Sequence, residues 1–307
     1  MKQLKIAVPD EGMRQRLGGV EPSVEVFVWR PDSDPDPNCE VDLAVLPYMV
    51  GPEYLTNLNG RRVQVVQSQM LGYDRVGEFL PAGMTYCNAV GVHESSTGEL
   101  ALGLILACQR GIAVFRDHQR DRRWKRHRTP GLAGSRVLVV GAGGVGQQVA
   151  ARLAGFDVEL SMVARTVRTS PYGQVRSMAD IWDELGRADV VVLAVPLTEE
   201  TRGLADEKFL GAMRDNALLV NVSRGPVVDT DALVREVTTG RIRAALDVVD
   251  PEPLPSEHPL WRCGGVLITP HVGGETGSMT GAADRLVLDQ IHRLAQGKPP
   301  AHIVFAP

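Results

Sequence analysis

The chain has 307 residues, of which 44% are hydrophobic and 23% charged, with a formal net charge of −4. Such a balance is that of a globular chain with material for one or two cores. Its slight acidity argues against a general nucleic-acid binder, and no apolar run approaches the roughly 20 residues that cross a bilayer, so no membrane partner is expected. Cys39, Cys87, Cys108 and Cys263 are scattered, with neither zinc spacing nor a disulfide framework. No metal is therefore expected. Without a signal-peptide pattern at the first residues, a reducing cytoplasm is the expected location.

In chain order, residues 1–92 alternate short strands and helical or turn segments. Strands are expected at Lys5–Val8, Val24–Val28, Asp42–Val45, Val63–Val66 and Thr85–Asn88, with Glu11–Leu17, Pro52–Leu58 and Tyr73–Phe79 between them. This rhythm predicts a small parallel α/β unit without a glycine fingerprint of its own. Prolines make Pro31–Pro37 a surface loop. From His93 to about Arg120, Leu100, Leu104 and Ala107 recur at helical spacing. Leu102, Ile105 and Leu106 add apolar sides, which predicts one long buried helix between domains or subunits. The basic run Asp121–Arg128 after it reads as a solvated helix end or as an arm anchored on a partner subunit by Trp124.

The next stretch, Gly134–Gly146, organises the rest. Val137–Val140 is an unbroken apolar run, as suits a strand buried on both faces, and Gly141, Gly143 and Gly146 follow with a helix expected over Val145–Leu153. The first glycine permits a tight turn and the second lets backbone amides around Gly144 and Val145 approach a pyrophosphate. The third lets helix pack on strand. Further strands are expected at Asp157–Val163, Val190–Val195, Ala217–Asn221, Ala244–Asp247 and Val266–Ile268. Helices are expected at Met178–Leu185, Asp206–Met213 and Thr230–Thr239, and a last one over Thr276–Gln296. This is the rhythm of a doubly wound dinucleotide-binding domain.

About 20 residues past the glycines, where NAD-binding domains place an acid for the ribose 2′-hydroxyl, stands Arg165, followed by Thr166 and Arg168. Guanidinium groups form charge-assisted, bidentate bonds with phosphate. The expected cofactor is therefore NADP(H), with NAD the alternative.

Three late stretches could carry chemistry. Asn221–Asp229 places Arg224 just past a strand, where it could clamp a carboxylate and polarise a carbonyl. Leu246–Pro255 holds Glu252 among prolines, and Ile268–Gly274 holds His271. A glutamate that orients the ring would keep an imidazolium ready to protonate a developing alkoxide. Each residue could equally belong to an ordinary turn.

Together these motifs resemble the D-isomer-specific 2-hydroxyacid dehydrogenases. The resemblance runs through Leu71–Asp74, Asn88–Gly91, Thr97–Glu99, Gly141–Gly146, Val195–Thr198 with Thr201, Asn221–Asp229, Asp247–Pro255 and Thr269–Gly274. It implies a Rossmann-type domain over 93–272 inserted into a smaller flavodoxin-like substrate domain formed by 1–92 and 273–307. It also implies that Arg224 binds the substrate carboxylate and carbonyl, that Glu252 orients His271 as the acid/base, and that the Leu71 and Gly72 amides help hold the carboxylate. Val195, Pro196, Thr97, Ser223 and Asp247 would lie around the nicotinamide. Relatives are usually homodimers, and in some a Trp of the arm enters the partner's site.

Departures narrow the substrate. Formate dehydrogenases of the group carry Gln where Glu252 stands, phosphite-oxidising members carry Lys where Leu71 stands, and NAD-dependent members carry the acid replaced here by Arg165. What remains resembles an NADPH-dependent reductase of a small 2-oxo acid such as glyoxylate or hydroxypyruvate. Tyr48 and Met49 could line its pocket or merely pack. The alternative is a dinucleotide-sensing binding protein on the same fold with little turnover.

Overall fold

The computed structural model describes residues 3–19, 23–33 and 39–307; residues 34–37 of the expected Pro31–Pro37 loop lie outside them. The chain divides into two compact units, Met1–His93 with Gly277–Pro307, and Glu94–Thr276.

In the first unit, β1 (Leu4–Val8), α1 (Glu11–Arg16), β2 (Val24–Val28), β3 (Glu40–Val45), β4 (Arg62–Gln67), α2 (Val76–Phe79) and β5 (Thr85–Cys87) follow in order. Pro52–Leu58, expected as a helical or turn segment, is a 3-10 helix, and within the one at Tyr73–Phe79 the helix is α2. Strand side chains alternate between faces. Ile6 and Val8 pack with Met13, Leu17, Val287 and Ile291, whereas Ala7 packs on the other face with Leu55, Leu58 and Val76.

The second unit opens with α3 (Glu94–Gln109) and α4 (Ile112–Arg120), and here the expected single long helix is corrected. Gly111 takes φ +63, a left-handed residue that ends a helix, and the two halves meet at 65°. α3 carries the buried positions Ala101, Leu104 and Ile105, whereas α4 buries none of its residues. The basic run Asp121–Arg128 leaves the helix altogether, and Trp124 is 98% exposed. No single helix among the described residues is long and apolar enough to cross a membrane.

Then come β6 (Arg136–Val140), α5 (Gly144–Leu153), β7 (Glu159–Ala164), β8 (Arg168–Ser170), β9 (Gly173–Ser177), α6 (Ile181–Leu185) and β10 (Val190–Leu193). They are followed by α7 (Glu207–Ala212), β11 (Leu218–Asn221), α8 (Thr230–Thr238), β12 (Arg243–Leu246) and β13 (Val266–Ile268). Val137 and Val139 of β6 face the core with Ala101, Leu104 and Val149, while Leu138 and Val140 face the one with Phe209, Leu210 and Leu233. Burial on both faces is why this strand reads as an unbroken apolar run. The β8–β9 hairpin was not expected; its strands are short and mostly polar.

The chain returns to the first unit with α9 (Met279–Ala295) and β14 (Ile303–Phe305). The first sheet has the order β14-β5-β4-β3-β1-β2, with β14 antiparallel. Without that edge strand it is the flavodoxin-like 2-1-3-4-5 arrangement. The second has the order β13-β12-β11-β10-β6-β7-β9-β8, parallel except for β8, which is a doubly wound Rossmann sheet whose strands run outward in both directions from β6. The fold is α/β: a Rossmann-type unit whose sequence interrupts a smaller flavodoxin-like one.

Candidate active site

Register gathers the candidate residues of the second unit. Val140 pairs with Leu193, Leu193 with Asn221, Asn221 with Leu246, and Leu246 with Ile268. Five parallel strands thus end level. The glycine loop, Val195–Pro196, Ser223–Arg224, Asp247 and His271 leave that carboxyl edge within a few residues of it, where open α/β sheets bind ligands.

In the glycine loop, Gly141 takes φ +103, and a Cβ there would stand 2.4 Å from the Ala194 carbonyl oxygen. A Cβ on Gly146 would stand 1.9 Å from the Gly141 oxygen. Both are fixed by packing. Gly143 differs: a Cβ on it would meet nothing within 4 Å, so the space it leaves belongs to no protein atom. It is also the N-cap of α5, with no side chain bonded to the helix amides. By contrast Asp10, Asp206 and Asp229 cap α1, α7 and α8 through Met13, Phe209 and Ala232 amides. An uncapped helix end over an open cradle fits a dinucleotide pyrophosphate. Glu94, which the sequence did not single out, is buried against Gly144, its Cγ 2.7 Å from where a Cβ would be.

Past β7, Arg165 and Thr166 are exposed. Arg168, at the start of β8, donates to the Ala142 carbonyl oxygen inside the glycine loop and weakly to Thr166 O at 3.4 Å. The hairpin therefore carries a guanidinium back over the loop. Beyond β10, Thr201 Oγ1 donates to Pro196 O at 2.6 Å and accepts from the Thr198 amide at 2.8 Å, which fastens the Val195–Thr198 turn.

Arg224 is half-buried, and its Nη1 donates to the Ser223 oxygen at 2.7 Å. Asn221 holds this turn from below. Its amide donates to Arg224 O at 3.0 Å, and its Oδ1 accepts from Ser223 N and Oγ at 3.1 and 2.7 Å. His271 Nδ1 lies 2.9 Å from Glu252 Oε2, with both side chains about one-third exposed. Glu252 Oε1 accepts from the Val249 amide at 2.9 Å. Burial would raise the Glu252 pKa. The bonds from His271 and Val249 and the charges of His271 and Arg224 outweigh it and hold the carboxyl below its usual value. Glu252 is thus an anion at neutral pH, and its acceptor role keeps a proton on His271 Nδ1, so that Nε2 is the ring nitrogen left to exchange a second proton. Its contribution to folding is full above the ordinary glutamate range and is lost as pH falls through the lowered value.

The His271 backbone is unusual, with φ +54, a conformation that side-chain-bearing residues adopt only when their surroundings enforce it. Its amide is shared between Asp247 O at 2.8 Å and Thr269 O at 3.0 Å. Asp247 itself is 3% exposed. It accepts from Thr269 Oγ1 at 2.6 Å, Val272 N at 3.0 Å and Gly273 N at 2.9 Å, so its carboxylate fastens the loop that carries His271. Thr97, buried at the start of α3, lies beside that loop: a Cβ on Gly273 would stand 3.3 Å from its Oγ1. Leu71 and Gly72 belong to the first unit, in the loop after β4, where Asn88 Nδ2 donates to Leu71 O at 2.8 Å.

An NAD(P)-dependent dehydrogenase is the class of protein to which this chain belongs. A family model described as the D-isomer specific 2-hydroxyacid dehydrogenase NAD-binding domain matches residues 102–273, and the chain is a member of that family. It is 30% identical to a glyoxylate reductase of Thermococcus litoralis, over 97% of this chain and 94% of the relative. A glyoxylate/hydroxypyruvate reductase of Arabidopsis thaliana is 31% identical over 77% of this chain and 76% of its own. Among solved structures, a D-isomer specific 2-hydroxyacid dehydrogenase of Xanthobacter autotrophicus Py2, determined with NADPH and MES, is 26% identical. It has a TM-score of 0.82 over 99% of this chain and 98% of that one.

Proposed function

We propose that this chain reduces a small 2-oxo acid of the glyoxylate or hydroxypyruvate type to the D-2-hydroxy acid, with NADPH as the preferred cofactor. The observation that carries the reading is the 2.9 Å Glu252–His271 contact with the charge of Arg224 acting on the same carboxylate. It pairs a positioned proton donor with an anion clamp. Arg224 binds the substrate carboxylate and polarises the carbonyl, and the Leu71 and Gly72 amides share the carboxylate. His271, held through Nδ1, gives the proton on Nε2 to the developing alkoxide. When bound there, the cofactor would supply the hydride. Thr97, Val195, Pro196, Ser223 and Asp247 position the ring and its carboxamide, and the backbone from Gly143 to Val145 holds the pyrophosphate. The Met1–His93 and Gly277–Pro307 unit is the substrate domain, and Glu94–Thr276 is the cofactor domain. NADPH-coupled turnover of a panel of 2-oxo acids tests the reading; tight cofactor binding without turnover of any acid would favour the sensing alternative.

The preference for NADPH rests on Arg165, Thr166 and Arg168, and on the absence of an acid at the end of β7. Charge-assisted bonds contribute about 1.5–3 kcal/mol each, so Arg165→Ala should lower kcat/KM for NADPH by about tenfold or more and leave that for NADH nearly unchanged. Wild-type values that are equal for the two cofactors, or better with NADH, remove the preference.

Glu252→Gln removes the anion beside His271 without changing its shape. The ring loses the charge-assisted acceptor that turns it, so kcat for reduction should fall by about tenfold or more while NADPH affinity is kept. A kcat within about twofold of wild type would show that Glu252 does not orient His271.

We further read the protein as a homodimer. Ile112 and Val114 of α4 are 55% and 42% exposed, and Trp124 of the basic arm is 98% exposed, an apolar set suited to a second copy. A solution mass near 33.3 kDa, that of one chain, would refute this.

A further inference from the structure

Within the first unit, a cleft of about 280 Å³ opens at the carboxyl end of the sheet. Pro9 and Asp10 enter it from beyond β1, Pro47 and Tyr48 from beyond β3, Arg30 from beyond β2 and Gln69 from beyond β4. The strand order makes β1 and β3 the neighbours from which the chain winds in opposite directions. That switch point is where flavodoxin-like sheets take ligands.

The lining is biased toward anions, with Arg16 and Arg30 facing the single carboxylate of Asp10. Asp10 is already engaged, because its Oδ1 accepts the Met13 amide at 2.8 Å as the cap of α1. Arg16 binds Asp284 through Nε and Nη2 at 2.6 and 3.2 Å, which leaves its Nη1 edge for another acceptor. Arg30 contacts Asp32 at 3.5 Å and also reaches the Tyr54 hydroxyl, with its side chain half-exposed. The Tyr48 ring is stacked on His93 at 5.8 Å, while Gln69 is anchored by its Nε2 to Leu46 O at 2.8 Å. Tyr48 and Gln69 are thus held in place by the protein itself.

Gln69 is also two residues from Leu71, whose amide, with that of Gly72, holds the substrate carboxylate in the function proposed above. Two residues span at most about 7 Å, comparable to the length of a short dicarboxylic acid. We propose, resting on that reading, that this cleft receives the distal carboxylate of a 2-oxo dicarboxylic acid and that Arg16 and Arg30 select it. Hydride and proton transfer at the 2-oxo carbon are unchanged. Glyoxylate would be turned over without using the cleft.

The test compares kcat/KM for 2-oxoglutarate with that for 2-oxopentanoate, a chain of equal length without the distal charge. It uses the wild type, Arg30→Gln and Arg16→Gln. The wild type should favour 2-oxoglutarate by about tenfold or more, as one charge-assisted contact provides. Each variant should bring the ratio toward one, mainly by raising KM for the dicarboxylate. Arg30→Gln keeps the test open if loss of the Asp284 pair unfolds Arg16→Gln. A wild-type ratio near one, a ratio unmoved in Arg30→Gln, or malonate inhibition that does not compete with the 2-oxo acid overturns the proposal. Turnover of glyoxylate with no preference for the dicarboxylate removes this inference alone, whereas no turnover of any 2-oxo acid removes the proposed function with it.

Discussion

His271→Ala should lower kcat for 2-oxo acid reduction by about 10²–10⁴-fold, the range that a positioned general acid contributes, while NADPH binding followed by fluorescence titration stays within a few-fold of wild type. The expectation separates chemistry from cofactor binding because His271 leaves the edge after β13, whereas the pyrophosphate cradle lies at Gly141–Gly146 after β6. Alanine there also frees Glu252, whose lowered pKa depends in part on the His271 bond. Arg224→Ala should be comparably damaging. It removes the clamp on the substrate carboxylate, so KM should rise as kcat falls, again with cofactor affinity kept. Near-normal turnover in either variant would take that residue out of the mechanism.

Gly225→Ala should be almost as severe, although Gly225 has no side chain to offer. A Cβ there would stand 1.8 Å from the Val249 carbonyl oxygen and 2.2 Å from its carbon. Both are backbone atoms, so one of two loops must shift. The first carries Arg224, one residue before. The second carries Val249, whose amide holds Glu252 Oε1 at 2.9 Å and through it the His271 ring. One methyl group thus displaces the anion clamp and the support of the acid together. Misplacement of about 1 Å in such a site costs on the order of 10² in rate, and overpacking of this kind costs about 1–3 kcal/mol of stability. A folded Gly225→Ala protein with wild-type kcat/KM would show that the two loops move independently.

Some expectations failed for identifiable reasons. The single helix from His93 to Arg120 reads as continuous because its apolar residues continue past Gly111. A lone glycine in a helical pattern is only a weak stop signal, and here its left-handed φ turns the chain by 65°. The β8–β9 hairpin has strands of three and five residues with few apolar side chains, so neither periodicity nor hydrophobicity marks it. Yet it carries Arg168 back onto the glycine loop. Asp247 was expected beside the nicotinamide; the structure adds that its buried carboxylate takes three hydrogen bonds from the His271 loop, a role that no spacing reveals.

The sequence by itself determined the elements and the chemistry on offer. Strands buried on both faces must be unbroken apolar runs, so Val137–Val140 announced its sheet. Glycines at Gly141 and Gly146 are demanded by contacts of 2.4 and 1.9 Å, so their spacing was informative before any coordinates. The cation at Arg165 marked the cofactor question in the same way. Only the tertiary structure decided which of these residues meet. Parallel register sets Val140, Leu193, Asn221, Leu246 and Ile268 side by side. Turns far apart in the chain therefore emerge along one edge, with Glu252 2.9 Å from His271. Hydrogen bonds between strands fix that alignment, and no local pattern within any one strand encodes it.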